Sequence, residues 1–234
     1  MFEDFRKYFR SKHPFMMSTF DDVVKKGNVV PRSIITPYIT KESQERMIQV
    51  DVFSELMRER IIFFGDDVNS DTANIALSQL LYFHAIDKNA PATMYISTNG
   101  GSVYHGMALY DTMQLCEQDF DISTVCLGLA ASMGSILMVG GTKGKRSALE
   151  HSRIMIHSVS TGSDRITYPD LAIMAKETET LNKELMQILA DKSGKPYEEV
   201  CADASRDHWL KAEECLPGNY GQFGLIDEII TRLQ

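Results

Sequence analysis

From Ile34 onward the chain alternates short apolar runs with longer stretches of helical period. Ile61–Phe64 (IIFF), Thr93–Ser97 (TMYIS), Ile122–Leu127 and Ser152–Ile156 have the length and the β-branched or aromatic content of strands. Between the first two, Ser70 is placed to cap a helix whose Ala73, Leu77, Leu80, Leu81 and His84 fall near one face. Asn99-Gly100-Gly101 closes the second run with a turn, and a helix over 102–116 then brings Val103, Met107, Tyr110 and Met113 together. A turn of small residues follows the third strand, and an apolar helix starts near Met133. Strand–helix alternation at this spacing predicts an α/β fold of stacked βαβ units around a mostly parallel sheet. The apolar character of the strands predicts cover on both faces.

Residues 168–193 differ in kind. Leu171, Met174, Ala175, Leu181, Leu185, Ile188 and Leu189 form one stripe on a helix of about seven turns. Thr167-Tyr168-Pro169-Asp170 has the form of a helix start with a reciprocal cap, and Gly194 that of a stop. A stripe this long packs either on a partner chain or on the chain's own sheet. Residues 1–33 lie before the pattern settles and read as an extension to a single domain over 34–234. The opening stretch, MFEDFRKYFRSKHPF, lacks the apolar centre of a signal peptide, and Glu3 and Asp4 argue against a transit peptide.

Composition narrows the function classes. At 234 residues with 44% hydrophobic content, the chain can bury a sizeable core. Thirty-two acidic against 24 basic residues give a net charge of −8, which excludes the basic footprint of a general nucleic-acid binder. No apolar run reaches about 18 residues, so no membrane span is predicted. Cys116, Cys126, Cys201 and Cys215 show no CxxC spacing. They read as reduced, partly buried thiols of a cytoplasmic protein rather than as metal ligands or a disulfide framework.

The chemistry concentrates in LGLAASMGSIL, residues 127–137. Ser132 sits where a strand passes through a turn into a helix, the arrangement of a nucleophile elbow, with Ala130 and Gly134 two residues to either side. Small neighbours let the backbone bend sharply and let a substrate carbonyl approach. The same stretch also describes a buried serine at a close-packed helix start, since the strict GxSxG form is missing. A nucleophilic serine needs a base, a group that orients the base, and donors for the oxyanion. His157 ends an apolar strand and is the first choice of base, with His151 and His208 behind it. His84 and His105 fall on helices as structural residues, and His13 in the extension. For the orienting carboxylate, the residues leave Asp203, Asp207 and Asp227 open. The N–H of Met133 is the expected first oxyanion donor, and the Gly100-Gly101 turn can present further N–H groups.

Taken together, TNGGSV (98–103), GLAASMGS (128–135), KGKRSAL (143–149), MIHS (155–158), SRDHWL (205–210) and FGLIDEI (223–229) resemble, in order and spacing, the ClpP family of proteolytic subunits. The resemblance covers roughly residues 34–231. It implies the ClpP/crotonase-like fold and serine endopeptidase activity, with Ser132 as nucleophile, His157 as base and Asp207 orienting it. It implies Gly101 and Met133 as the oxyanion donors. It implies a handle region over about 158–194 that interlocks two stacked heptameric rings of one subunit around a chamber for unfolded polypeptides. A hexameric AAA+ unfoldase is the implied partner and the user of ATP, so this chain needs no cofactor. Two other readings compete: a crotonase-type acyl-CoA enzyme, which needs no Ser–His–Asp set, and a catalytically silent ring subunit.

The chain departs from the family pattern in several places. Asn99 replaces the first residue of Pro-Gly-Gly, which predicts a looser turn. Ser158-Val159 replaces the Gln-Pro that commonly follows the histidine, which predicts an altered substrate-side wall. Ser205 stands beside Arg206 where the family often has an acid, so an ion pair between rings is expected to change. Leu216–Tyr220 reads as an insertion, and residues 1–33 as a segment trimmed or disordered in the working particle.

Overall fold

A computed structural model describes residues 38–43, 46–162, 167–218 and 223–232; the extension over 1–33 and the end of the 216–220 insertion lie outside them. The chain divides into two compact units, Met1–Val52 and Phe53–Gln234. In the first, β1 (Tyr38–Ser43) and β2 (Arg46–Asp51) pair antiparallel, Tyr38 opposite Asp51.

The second unit carries the site. After α1 (Val52–Arg58) come β3 (Ile61–Phe64), α2 (Ser70–Ile86), β4 (Ala92–Thr98), α3 (Val103–Cys116), β5 (Ile122–Ala131) and α4 (Met133–Val139). Next are β6 (Arg146–Leu149), β7 (Arg153–Ile156), α5 (Tyr168–Ser193), α6 (Tyr197–Asp203), β8 (His208–Lys211) and β9 (Glu228–Ile230). The sheet runs β3-β4-β5-β6-β9, all parallel, with β7 pairing β5 in parallel and β8 in antiparallel. The βαβ alternation is as the pattern predicts. The predicted double cover holds at the central strands, where consecutive residues of β5, β6 and β7 are buried. β3 and β4 bury alternate residues, Ile62, Phe64, Met94 and Ile96, and their other face is only partly covered, with Phe63 46% exposed.

Local signals account for most boundaries. The cap of α2 is Asn69, one residue before the expected Ser70; its side chain accepts from the N–H of Asp71 and Thr72, and Thr72 returns the bond to Asn69. The buried face of α2 is Ala73, Ala76, Leu80 and Phe83, so Leu81 and His84 turn outward, against expectation. Helix α5 keeps its predicted span. Thr167 bonds the Asp170 carboxylate rather than closing a reciprocal cap, and Gly194 ends the helix at φ 79°. Its stripe is divided. Leu185, Met186, Leu189 and Ala190 join the core, whereas Leu171 and Ile173 are exposed.

β5 is longer than expected and changes partner along its length. Thr124–Cys126 pair β6, and Leu129–Ala131 pair β7. The switch occurs at Gly128, whose φ of 79° suits glycine. Buried Ser152 closes the gap, accepting from the Gly128 N–H at 3.0 Å and donating to the Cys126 carbonyl at 2.9 Å. No described helix is long and apolar enough to cross a membrane.

At the far side of the sheet, Arg146 meets Asp227 through Nε at 2.9 Å and Nη2 at 2.6 Å, and Nη1 caps the Lys192 carbonyl of α5 at 2.9 Å. Burial alone would raise the Asp227 carboxyl. The Arg146 side chain and the Arg146 and Gly144 N–H groups outweigh it and hold it below the usual carboxylate value. A depressed folded value means that this pair stabilises the fold above the ordinary carboxylate range and ceases to as pH falls through the depressed value. Asp227→Ala is therefore expected to lose about 3–5 kcal/mol near neutral pH, because Arg146 is left buried and unpaired. Thermal melts of both proteins across pH check this: the gap between them should narrow on acidification, and a gap that widens would contradict it.

Candidate active site

Two strand ladders deliver the site. In β5–β7 the last register pair is Ala131 with Met155, and the ladder runs one step further through the Ser132 N–H to the Met155 carbonyl at 2.8 Å. In β7–β8 the pairs run Ile154 with Leu210, Met155 with Trp209, and Ile156 with His208. One more step along that antiparallel register brings His157 opposite Asp207. The side chains meet accordingly. His157 Nε2 lies 2.8 Å from Ser132 Oγ, and His157 Nδ1 lies 3.3 Å from Asp207 Oδ1. His157 is partly buried, while the Asp207 side chain is 61% exposed.

The backbone of Ser132 is strained in the manner of an elbow, with φ 54° and ψ −122°. Such a conformation costs about 1–3 kcal/mol in a residue with a side chain. Neighbouring bonds hold it: besides the Ser132 N–H bond, the Ser132 carbonyl accepts from Ser135 Oγ at 2.7 Å and from the Ser135 N–H at 2.9 Å. The small residues now have individual reasons. A Cβ at Gly134 would come within 2.6 Å of Thr98 Cγ2, and Ala130 and Ala131 are buried between β4 and β7.

The Gly100-Gly101 turn lies directly against this elbow. A Cβ on Gly100 would stand 2.6 Å from Ser132 Cβ, 2.7 Å from the Ala131 carbonyl and 2.9 Å from the Met133 nitrogen. Val68 grips the turn from behind, giving its N–H to the Gly100 carbonyl and taking the Ser102 N–H, both at 2.8 Å. That pattern leaves the Gly101 N–H facing away from Val68. Asn99 is not loose as expected, because its amide donates to Asp67 Oδ1 at 3.3 Å and Thr98 Oγ1 accepts the Gly100 N–H at 3.1 Å.

A cavity of about 50 Å³, lined by Gly101, Ser132, Met133, His157 and Met186 among others, lies at the elbow. It adjoins a groove of about 550 Å³ walled by Val103, Val159, Ile173, Met174 and Leu181, with Asp170 and Glu177 also lining it. Tyr104 donates to Glu177 at 3.0 Å between α3 and α5.

The alternatives left open by the sequence separate here. Asp227 is held by Arg146, and Asp203 by Lys195 at 3.0 Å. Asp207 lies between α6 and β8. His208 turns its Nδ1 to the Asp203 carbonyl at 3.2 Å, while His105, which meets Ser102 at 2.9 Å, and His84, which pairs with Asp119 at 2.7 Å, are both exposed. His151 is exposed in the turn between β6 and β7, and His13 lies outside the described residues. The four cysteines are free. Burial pushes the Cys126 thiol up to about 11 and that of Cys215 up to about 12, so neither offers a thiolate near neutral pH. Sequence reasoning missed the bonds of Ser135, Ser152, Thr98 and Asn182 to the segments around Ser132 and His157. Only Ser135 left a local signal, three residues after Ser132 in the spacing of a cap.

The model of one protein family, described as Clp protease, matches residues 43–233. Curated relatives agree over nearly the whole chain. A protein of Bacteroides fragilis (strain YCH46) is 44% identical over 231 residues, 98% of this chain and 99% of the relative. One from Bacteroides thetaiotaomicron is 43% identical over the same shares, and one from Porphyromonas gingivalis (strain ATCC BAA-308 / W83) is 42% identical over 98% of both chains. Each carries the name ATP-dependent Clp protease proteolytic subunit.

The contact between turn and elbow is testable. Gly100→Ala is expected to slow covalent modification of Ser132 by a fluorophosphonate at least about tenfold, since displacements near 1 Å cost about a hundredfold. Gly144→Ala is the control: its φ of 86° is also positive, but an added Cβ meets nothing within 4 Å. Equal modification rates in both variants would contradict a role for the close approach.

Proposed function

Because the chain belongs to the Clp protease family, we propose that it is the proteolytic subunit of an ATP-dependent Clp protease, with Ser132, His157 and Asp207 as its triad. The observation that carries this is the 2.8 Å contact between Ser132 Oγ and His157 Nε2, with a carboxylate at the other ring nitrogen. Ser132 Oγ attacks the peptide carbonyl and gives its proton to His157, which passes it to the leaving amine. Water then gives a proton to His157 and bonds to the acyl carbon; the bond from that carbon to Ser132 Oγ breaks, and His157 returns the proton to Oγ as the acid product leaves. Asp207 holds the imidazole with Nδ1 protonated and steadies the imidazolium. The N–H groups of Gly101 and Met133 are assigned to the developing oxyanion. The uncommitted direction of the Gly101 N–H and the approach of its turn to the Met133 nitrogen support that assignment.

The assembly reading rests on α5. Its N-terminal half carries Tyr168, 84% exposed, and Ile173, 68% exposed, which no described residue covers well. A second copy provides the cover, in two stacked seven-membered rings. A hexameric AAA+ unfoldase that spends ATP and delivers unfolded polypeptides completes the proposed machine, in the cytoplasm. The acyl-CoA reading is not favoured, since it gives the serine, histidine and aspartate no task. A silent ring subunit is the reading that activity measurements decide.

Ser132→Ala and His157→Ala are each expected to cut hydrolysis of a short fluorogenic peptide to below about a thousandth of wild type, with particle size unchanged. Near-wild-type turnover in either would reject that assignment.

A further inference from the structure

Past Ile156 the ladder that delivers His157 stops, and residues 158–161 are held to the rest of the described chain by side-chain bonds. Ser158 Oγ donates to the Ala204 carbonyl at 3.0 Å, and the Val159 N–H donates to Asn182 Oδ1 at 2.9 Å. We propose that Asn182, on α5, is a positioning residue for the peptidase reaction: its side-chain carbonyl fixes the segment that follows the histidine. The inference rests on the triad proposed above.

Three observations converge on it. Val159 lies two residues from His157 and lines both the cavity at the elbow and the adjoining groove. A shift of this segment therefore moves the imidazole and one groove wall together. Asn182 stands one turn before Leu185 and Met186, the residues that anchor α5 in the core, so the acceptor sits on a part of the helix that is itself held. Finally, the bond depends on valine. A proline at 159 would fix its own φ and would have no N–H to give; valine leaves that backbone free, and the amide of Asn182 supplies the constraint instead. The Ser158 bond supports the same segment from the other side, at Ala204, three residues before Asp207. Asn182 touches neither Ser132 nor a substrate atom, so its effect is on alignment.

The test compares Asn182→Leu, which removes the acceptor at similar volume, with Asn182→Asp, which keeps a carbonyl-like oxygen. Both are measured in the assembled full chain, with Asn182→Ala replacing the leucine variant should that not assemble. Asn182→Leu is expected to lower kcat for the short peptide at least about tenfold and to slow fluorophosphonate modification of Ser132 in parallel. Asn182→Asp should stay within about threefold of wild type, a rescue that packing alone does not give. In a Val159→Pro background, which has no N–H to tether, Asn182→Leu should cost nothing further. Wild-type rates in Asn182→Leu, an equal loss in the leucine and aspartate variants, or an undiminished further loss in the proline background would each overturn the inference alone. A wild-type particle that neither cleaves peptide nor reacts with the fluorophosphonate would overturn the peptidase reading, and this inference with it.

Discussion

The bond from the Ser132 N–H to the Met155 carbonyl, 2.8 Å long, extends the β5–β7 ladder past its last paired residue and into a turn. Everything around the site depends on that extension. It fixes where the strained elbow begins, and it sets the elbow beside the end of β7, where His157 emerges. Because β7 also pairs β8, the same ladder system fixes Asp207 opposite His157. Three side chains far apart in sequence thus inherit their alignment from backbone register, which a packed sheet holds far more firmly than loops would. The cost of φ 54° at Ser132 is offset by the Ser135 bonds and by burial of all seven residues of α4.

For β5 to serve both β6 and β7 it must change neighbours midway. Gly128 and Ser152 make that possible, one by its positive φ and the other by bonding both edges of the break. The opposite wall of the site is set by Val68 and the Gly100-Gly101 turn, and the groove wall by Val159 and α5. Helix α5 thereby has two characters. Its C-terminal half belongs to the core and is fastened at Lys192 by Arg146. Its N-terminal half leaves Tyr168, Leu171 and Ile173 exposed among the described residues.

The sequence told a good deal of this. Alternating apolar runs located β3, β4 and β7 within a residue or so, and Gly194 with the apolar stripe bounded α5. Its silences are equally physical. β6 begins Arg146-Ser147, and its polar residues are buried because Asp227 and the Thr124 carbonyl satisfy them from distant segments. β8 (HWLK) shows no clear alternation and exists because β7 offers it an edge. Local pattern could place Ser132 at an elbow and His157 at a strand end, but the choice of Asp207 over Asp203 and Asp227 needs the β7–β8 register. The motif resemblance supplied that choice where periodicity could not. Asn99, read from the resemblance as a looser turn, and Val159, read as part of an altered substrate-side wall, are each held by a partner that local sequence did not mark, Asp67 and Asn182.

The central claim is that register and strain together make Ser132 an activated nucleophile. The most direct measurement is the intact mass of the assembled protein after exposure to a fluorophosphonate, with peptide mapping of the adduct and Ser132→Ala alongside. A single adduct at Ser132 of the wild type, and none on the variant, is the predicted result. A wild-type protein that stays unmodified under the same exposure would contradict the account.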